Sequence, residues 1–291
     1  MLVKKTPPTE QRAYRRLIGA LRELPPVVAP AGLGPAALAR VQRDQEELAG
    51  AKGSATGEQS SGDRFYALET AIGRLYLAYG PRGIRFIAPA ADGQSFARLY
   101  ANRFGLEPRA DEAPPSRLIA DVVRALSGDR RAAARLPLDL DSLGSFERAV
   151  LKKALEIPRG QVRTYGWVAR EIGRPEAARA VGRALGRNPI PFIIPCHRVV
   201  GSGGNLTGYA FGLPFKERVL AWEGLDAGEL QAMARRGERF HGSRTTRIFC
   251  LPTCHHARRV QRANIVPFRT EDQARAAGFR PCRVCRPAAV G

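Results

Sequence analysis

Two pairs of cysteines near the end of the sequence constrain the fold of this chain more than any other feature. They form a C-x3-C pair and, after 27 residues, a C-x2-C pair, at Cys250, Cys254, Cys282 and Cys285. Two close pairs of thiolates are typical of a tetrahedral structural zinc site, and two disulfides are the alternative. The surrounding stretch has few large apolar side chains and would scarcely fold without a metal. We therefore predict a small zinc-stabilised domain over 241–291, with one Zn²⁺ held by these four cysteines.

The rest of the composition favours a reduced compartment and a polyanionic partner. No apolar run is long enough for a membrane helix, and the N-terminus lacks the apolar core of a secretory signal. We expect a cytoplasmic, nucleoid-associated protein without a membrane partner, in which thiols stay reduced. The net charge is +20, and arginine is concentrated in 158–220 and 235–291. A general arginine bias would explain the choice of arginine over lysine, but clustered positive charge indicates nucleic acid.

Changes of composition divide the chain into five segments. Residues 1–63 are predicted as an N-terminal extension and linker, with a helix at 10–24 and then stretches rich in proline, alanine, glycine and serine. Alternating apolar and polar residues around a Pro-Arg-Gly turn predict strands, and two amphipathic stretches predict helices. Residues 64–142 are therefore expected to form a small α+β domain. The remaining segments are a mainly helical domain at 143–227, a linker at 228–240 and the zinc domain at 241–291.

The helical segment contains a helix-turn-helix candidate. A first helix is predicted over 145–157, with Ser145 as its cap. Two short amphipathic helices, 165–173 and 177–188, are then joined by a tight turn. This spacing is shared with ordinary αα-hairpins, so the arginines are what favour DNA binding. They are Arg174, Arg179, Arg183 and Arg187.

The stretch IPFIIPCHRVVG, residues 190–201, places a thiol directly before an imidazole. Cys196 follows an apolar run and a proline, and two further prolines restrict the backbone before it. A free thiol is mostly protonated near neutral pH, and a neighbouring His197 can make it a nucleophile. A buried core cysteine beside a surface histidine is the alternative interpretation.

The sequence around this pair resembles the O6-alkylguanine-DNA alkyltransferase (methylated-DNA–protein-cysteine methyltransferase) family. IPCHRVVGSGG, preceded by AARAVGRALGRNPIPFI and followed by TGYAFGLPFKERVLAWEG, is similar without a gap from Tyr165 to Gly224, and a weaker similarity runs from about Phe65 to Asp141. The resemblance implies an RNase H-like domain before the helix-turn-helix domain. It also implies direct-reversal DNA repair, in which the methyl group of O6-methylguanine passes irreversibly to Cys196 and each molecule acts once. The damaged DNA supplies the methyl group, so no organic cofactor is implied.

The same resemblance assigns roles to individual residues. Cys196 would be the nucleophile, and Glu223 would orient His197, which would take the thiol proton through a water molecule. The other residues would handle the nucleotide, which must leave the base stack to expose its methyl carbon. Tyr165 would help to rotate the nucleotide, and Tyr209 would line the guanine pocket. Arg179 would fill the space of the flipped base from the minor groove, with Arg183 on the same helix. Asn188 would tie the turn before the active site.

Residues 241–287 resemble the zinc domain of the bacterial adaptive-response protein Ada, through the patterns RTTxIFCxPxC and AGFRPCxxCxP. The resemblance implies that Cys250 is both a zinc ligand and a second methyl acceptor, for the methyl of a backbone methylphosphotriester. Thr246, Arg258 and Arg280 would contact phosphates. The glycine before IFC in that family is Arg247 here. The alternative roles of the domain are a structural DNA grip and a damage-sensing regulator. His255 and His256 are not expected as zinc ligands, because four cysteines already complete the site.

Charge and resemblance together predict alkylated double-stranded DNA as the partner, bound by a monomer. A non-catalytic alkyltransferase-like binding protein is a further class, but those proteins lack the cysteine that Cys196 supplies.

Overall fold

The chain combines α-helices with β-strands, as predicted. The computed structural model describes residues 60–287, and the helix predicted at 10–24 lies outside them. The chain divides into two compact units between Asp139 and Leu140, and each unit is described by itself. Within the described residues, no helix has the length and the apolar character that crossing a membrane requires.

The described residues of the first unit form four strands and three helices. They are β1 (Ser60–Thr70), β2 (Gly73–Gly80), β3 (Gly83–Pro89), α1 (Gly93–Phe104), β4 (Glu107–Ala110), α2 (Ser116–Leu126) and α3 (Arg130–Arg135). The strands form one sheet in the order β3-β2-β1-β4, in which β1, β2 and β3 pair antiparallel and β4 pairs parallel to β1. β1 begins inside the segment predicted as linker, because its first residues extend the pairing with β4.

The predicted Pro-Arg-Gly turn is confirmed between β2 and β3. Gly83 has a φ of +117°, and a Cβ atom at this position would lie 2.2 Å from the carbonyl oxygen of Pro137. Both the backbone conformation and the close approach therefore require glycine.

Aromatic side chains form the core between the sheet and α1. Phe96 on α1 is fully buried, and its ring centroid lies 5.4 Å from that of Tyr76 and 5.5 Å from that of Phe86. Burying each such ring contributes about 1.5–3 kcal/mol. The carboxylate of Asp63 is also buried and accepts a hydrogen bond from Arg85 Nη1 at 2.9 Å, so its charge is paired.

The second unit contains the segments predicted as the helix-turn-helix and zinc domains. Its helices are α4 (Ser145–Leu155), α5 (Tyr165–Glu171), α6 (Ala178–Gly186), α7 (Leu213–Trp222), α8 (Ala227–Arg236) and α9 (Glu271–Ala276). Its strands are β5 (Arg163–Thr164), β6 (Val199–Val200), β7 (Phe240–Ser243), β8 (Ile248–Cys250), β9 (Ile265–Phe268) and β10 (Arg280–Pro281).

The predicted serine cap of α4 is wrong by one residue. Gly144 is the N-cap and Ser145 is the first helical residue. The Glu147 carboxylate accepts a hydrogen bond from the Gly144 N–H at 2.9 Å. This contact satisfies an amide that has no partner within the helix and places negative charge at the positive end of the helix dipole.

The two short helices predicted in this segment are present as α5 and α6. The Thr164 side chain caps α5 by accepting the Trp167 N–H at 3.0 Å. Gly173, with a φ of +71°, lets the chain leave α5 in a left-handed conformation. A single 3₁₀ turn at Pro175–Ala177 then leads into α6.

The segment 228–240 is not the linker that was predicted, because α8 occupies most of it. Leu230 of α8 is 4% exposed and packs with Val162, Leu220 and Leu225 in one buried cluster. Leu230 and Met233 are the large apolar side chains of α8, so its sequence has the polar composition of a linker. These two side chains nevertheless pack α8 against the buried cluster.

The cysteine-rich segment forms a small sheet in the order β10-β8-β7-β9. Its core holds three phenylalanines, Phe249, Phe268 and Phe279. Gly242 lies between two of them, and a Cβ atom there would come within 2.7 Å of the rings of Phe268 and Phe279. This core is small, in agreement with the predicted need for a metal.

Candidate active site and four-cysteine centre

Cys196 is held in a single 3₁₀ turn, Cys196–Arg198, and is 8% exposed. Its N–H donates to the carbonyl of Ile194 at 2.8 Å, and Asn188 Nδ2 donates to the same carbonyl at 2.9 Å. Asn188 Oδ1 in turn accepts the N–H of Ile190 at 3.0 Å. The amide of Asn188 therefore ties together the backbone that leads to the thiol.

The backbone just before Cys196 is strained. Phe192 has a φ of +72° although it carries a large side chain, and it is 5% exposed. Such a conformation costs of the order of 1–3 kcal/mol and persists only where the surroundings enforce it. Here the enforcing contacts are aromatic, since the Phe192 ring centroid lies 5.7 Å from that of Phe211 and 5.8 Å from that of Phe215.

His197 and Glu223 form a buried pair. His197 Nε2 lies 2.9 Å from Glu223 Oε1, and their side chains are 1% and 2% exposed. Burial would raise the pKa of Glu223, but its hydrogen bonds with His197 and Arg198 lower the pKa to about 2. Because Glu223 is thus an ionised acceptor, the proton of the imidazole resides on Nε2. Nδ1 then carries the free lone pair, and it is buried without a hydrogen-bond partner among the described residues.

Burial keeps both the thiol and the imidazole neutral in the resting protein. It lowers the pKa of His197, although Glu223 acts in the opposite direction. It raises the pKa of the Cys196 thiol, which the Asn188 side chain and the charge of Lys216 only partly offset. The resting state therefore pairs a thiol with an unprotonated nitrogen, which suits proton transfer to a base.

Arg198 and Lys216 belong to this site but were not predicted. Arg198 Nη2 donates to Glu223 Oε1 at 2.7 Å, and Arg198 Nε lies 3.0 Å from Oε2, so the guanidinium fixes the carboxylate that holds His197. Lys216 is fully buried, and its Nζ donates to the carbonyls of Val199 at 2.7 Å and Thr207 at 3.0 Å. A lysine within the apolar stripe of α7 was the signal that could have indicated it.

Tyr165 and Tyr209 lie near the thiol. The Tyr209 hydroxyl is buried, and burial together with the charges of Cys196 and Glu223 raises the pKa of this phenol. Tyr165 is partly buried at the start of α5, and burial likewise raises its pKa. The parallel pairing of β5 with β6, in which Arg163 is opposite Val199, brings the start of α5 next to the Cys196 turn.

The arginines of the helix-turn-helix have different surroundings. Arg179 and Arg183 on α6 are exposed, as is Arg174 in the turn. Arg187 is also exposed, but its Nη1 forms an ion pair with Glu147 Oε1 at 2.9 Å. Arg179 and Arg183 are therefore available for contact with a partner.

The four cysteines predicted as ligands meet in one buried cluster. Their sulfur atoms all lie within 4.8 Å of one another. Hydrogen bonding with Cys254 raises the pKa of Cys250, and the negative charge of the neighbouring thiolates acts in the same direction. A divalent cation would offset this repulsion between thiolates. The donor set and its burial fit a tetrahedral zinc ion. His255 and His256 are exposed and lie outside the cluster.

The three residues predicted to contact phosphates differ in whether their side chains already have a partner. Thr246 and Arg280 are exposed. Arg258 is exposed as well, but its Nη1 donates to the carbonyl of Gly160 at 3.3 Å. Arg247 has a φ of +55°, which explains why glycine occupies this position in the Ada pattern; its guanidinium lies 4.6 Å from the centroid of the Phe279 ring.

Comparisons with known proteins match two segments of the chain. Residues 145–225 match the family model of the 6-O-methylguanine DNA methyltransferase, DNA binding domain, and residues 230–288 match the metal binding domain of Ada. The curated relatives include the methylated-DNA–protein-cysteine methyltransferase of Methanosarcina acetivorans, which is 56% identical over 79 residues, or 27% of this chain and 51% of the relative. Another is the protein of the same name from Mycolicibacterium paratuberculosis, 52% identical over 87 residues, or 30% of this chain and 53% of the relative.

Among solved structures, that of Mycobacterium tuberculosis OGT in complex with DNA is similar at 32% identity, over 55% of this chain and 92% of that chain, with a TM-score of 0.44. The chain spans about half the length of the curated relatives it matches. It belongs to the O6-alkylguanine-DNA alkyltransferase (methylated-DNA–protein-cysteine methyltransferase) family and carries a C-terminal Ada-type metal-binding domain. One zinc ion fits this domain and its four cysteines.

Proposed function

We propose that this chain repairs DNA by direct reversal, transferring the methyl group of O6-methylguanine to Cys196. The observation that carries the proposal is the buried His197–Glu223 pair, joined at 2.9 Å, next to a thiol in a turn that Asn188 and Phe192 hold in place. The family match over 145–225 supports the same reaction.

The reaction would proceed in one displacement. The Cys196 thiol gives its proton, through a water molecule, to the free Nδ1 of His197, and Glu223 stabilises the imidazolium that results. The sulfur then forms a bond to the methyl carbon while the bond between that carbon and O6 breaks, and its electron pair stays on guanine. The departing guanine takes up one proton. A thioether has no hydrolysable bond, so each molecule acts once.

The helix-turn-helix would deliver the base to this thiol. Arg179 would occupy the space that the flipped guanine leaves, and Arg183 would contact the backbone from the same exposed face of α6. Tyr165 would help to rotate the nucleotide, and Tyr209 would line the guanine pocket beside Cys196. We propose that the protein acts in the cytoplasm as a monomer on alkylated double-stranded DNA. The sheet order β3-β2-β1-β4 supports an RNase H-like description of 64–142.

We propose that Cys250 is a second methyl acceptor, for the methyl group of a backbone methylphosphotriester. Bound zinc would keep the four sulfur ligands as thiolates, which are nucleophilic. Cys250 and Cys282 are 4% and 6% exposed, whereas Cys254 and Cys285 are fully buried, so reaction is favoured at Cys250 or Cys282. Thr246 and Arg280 would hold the phosphate, and Arg258 would contribute only by leaving its contact with Gly160.

Peptide mass spectrometry tests both transfers on the intact zinc-loaded chain. The substrate is a duplex that carries O6-methylguanine and methylphosphotriesters, and the expected result is one methyl group on Cys196 and one on Cys250. A label on Cys196 alone would leave Cys250 as a ligand and make the zinc domain a DNA grip. Removal of the methyl group from O6-methylguanine by a Cys196→Ala variant would overturn the assignment of the nucleophile.

A further inference from the structure

A buried arginine lies where the alkyltransferase domain meets the four-cysteine centre. Arg163 on β5 is 4% exposed. Its Nη1 donates to the carbonyl of Val162 at 2.9 Å and its Nη2 to Gln161 Oε1 at 2.8 Å, while its Nε has no hydrogen-bond partner among the described residues. All of these acceptors are neutral. Because buried cations in proteins are almost always paired, this guanidinium needs a source of negative charge.

The cysteine centre is that source. The guanidinium carbon lies 5.3 Å from the centroid of the Trp167 ring, and Trp167 Nε1 donates to the carbonyl of Cys285 at 3.1 Å. On the other side, the Val162 N–H donates to Oγ1 of Thr253 at 3.0 Å, and Thr253 directly precedes Cys254. Burial lowers the pKa of Arg163, and the charges of Cys285, Cys254 and Cys282 act against that effect.

Another cation lies close by but has its own partner. Arg286 also faces the Trp167 ring, with its guanidinium carbon 5.9 Å from the centroid. Its Nη2 forms an ion pair with Glu171 Oε2 at 2.6 Å. Arg163 has no such carboxylate among its hydrogen-bond acceptors, so the two arginines are not equivalent.

We propose that Arg163 of the alkyltransferase domain is the counter-cation of the zinc–cysteine centre, so that this centre is completed by both domains. Four thiolates around Zn²⁺ would carry a net charge of −2, which is costly to bury, and one guanidinium packed on Trp167, whose N–H is bonded to the cysteine turn, would offset half of it. Trp167 holds the guanidinium in place, because its ring packs against Arg163 and its N–H is fixed on the cysteine turn. Zinc retention therefore depends on a residue outside the four-cysteine sequence.

The arrangement has a consequence for methyl transfer, which rests on the proposed function of Cys250. Moving a methyl group from a phosphotriester to the Cys250 sulfur forms a C–S bond, breaks a C–O bond and leaves a phosphodiester anion. With zinc bound, the charge of the four-cysteine centre would change from −2 to −1, and Arg163 would balance it. The methylated state is therefore the better compensated of the two.

Zinc retention by the full, zinc-loaded chain tests the proposal without DNA. A negative result for the role of Arg163 is therefore distinguishable from a negative result for DNA repair. The rate of zinc transfer to an excess of a coloured chelator is compared between wild type and Arg163→Met. We expect release about 10-fold to 100-fold faster, the range found when partners of metal ligands are removed. Arg163→Lys keeps the positive charge but not the planar guanidinium, and its rate of zinc release should lie between those of wild type and Arg163→Met.

Lys152→Met is the matched control, since it removes one positive charge from an exposed position on α4, and it should release zinc at the wild-type rate. Release from Arg163→Met within twofold of wild type would overturn the proposal. Should that variant not fold, Trp167→Phe decides, because it keeps a smaller aromatic ring and removes the indole N–H that donates to Cys285. Unchanged release from Trp167→Phe would then count against the proposal.

Discussion

The Glu223→Gln substitution tests the energetics of the active-site relay. Glutamine keeps the shape of the side chain but not its charge. In the native protein the carboxylate is held at a pKa of about 2, against an ordinary value of 4.5, by His197 and Arg198. That difference corresponds to about 3 kcal/mol of stabilisation at neutral pH. The substitution should lower the free energy of unfolding at pH 7 by about that amount. It also leaves the partly buried guanidinium of Arg198 beside a neutral group.

The sign of the pH dependence follows from the direction of the shift. A carboxyl group whose pKa is lowered by folding stabilises the native state above its unfolded pKa, and this contribution is lost as the pH falls through the folded value. For Glu223 the contribution should decrease from about 3 kcal/mol at pH 7 to about 1.4 kcal/mol at pH 3. The difference in unfolding free energy between wild type and Glu223→Gln should shrink accordingly.

Urea unfolding at pH 7 and pH 3 measures this difference, and Glu112→Gln, which neutralises an exposed carboxylate, serves as the control. Single-turnover transfer from a duplex containing O6-methylguanine measures the second effect. Without the negative charge the imidazolium is no longer stabilised, and transfer should slow by about 10²-fold or more. A variant that unfolds within 1 kcal/mol (on the order of the error of such measurements) of wild type at pH 7 and transfers at the wild-type rate would refute the relay.

Lys216, Asn188 and Gly242 provide three further tests. Burial lowers the pKa of Lys216 to about 8, so the unfolded chain binds more protons between about pH 8 and 10.5; urea midpoints of wild type should rise across that interval relative to those of Lys216→Met. Asn188→Ala removes the acceptor of the buried Ile190 N–H and one of the two donors to the Ile194 carbonyl, and it should cost about 1–3 kcal/mol in urea unfolding, with slower single-turnover transfer. Gly242→Ala would press a methyl group against Phe268 and Phe279 and should lower the thermal midpoint of the zinc-loaded protein, at a cost of about 1–3 kcal/mol.

Local patterns predicted the parts of this molecule whose cause is local. The turn before Gly83, the two helices of the helix-turn-helix and the four cysteines are each marked by spacing within a few residues. Glu223 lies 26 residues from His197, and it was placed by family resemblance rather than by any pattern in the chain. The role of α8 could not be predicted, because Leu230 is a single apolar residue whose burial depends on the surface it meets.

Arg198 and Lys216 could not be predicted for a different reason. A charged side chain is expected to be solvent-exposed unless its partner is known. The partners here are a carboxylate distant in sequence and two backbone carbonyls. The same reason applies to Trp167, which contacts the cysteine turn, and to Arg163, which packs on Trp167, because both contacts exist only where two separately recognisable domains pack together. Sequence indicates each domain, whereas the packing between them depends on the shapes of both surfaces.

That packing makes Trp167 a reporter of the zinc centre. Trp167 is 4% exposed, and its N–H donates to the carbonyls of Cys285 at 3.1 Å and Arg286 at 3.0 Å. The cysteine turn keeps its shape only while metal holds its thiolates together. Removing zinc should therefore release the indole to water and shift its fluorescence emission to longer wavelength.

The chain has 2 tryptophans, so the measurement is made on a Trp222→Phe background, and zinc added back should restore the emission. Trp167 lies two residues after Tyr165, which we place at the flipped nucleotide. A zinc-dependent change at Trp167 would therefore mean that loss of metal reaches the segment that handles the damaged base. Unchanged emission in a sample shown to have lost its zinc would instead mean that the two domains hold their structures independently.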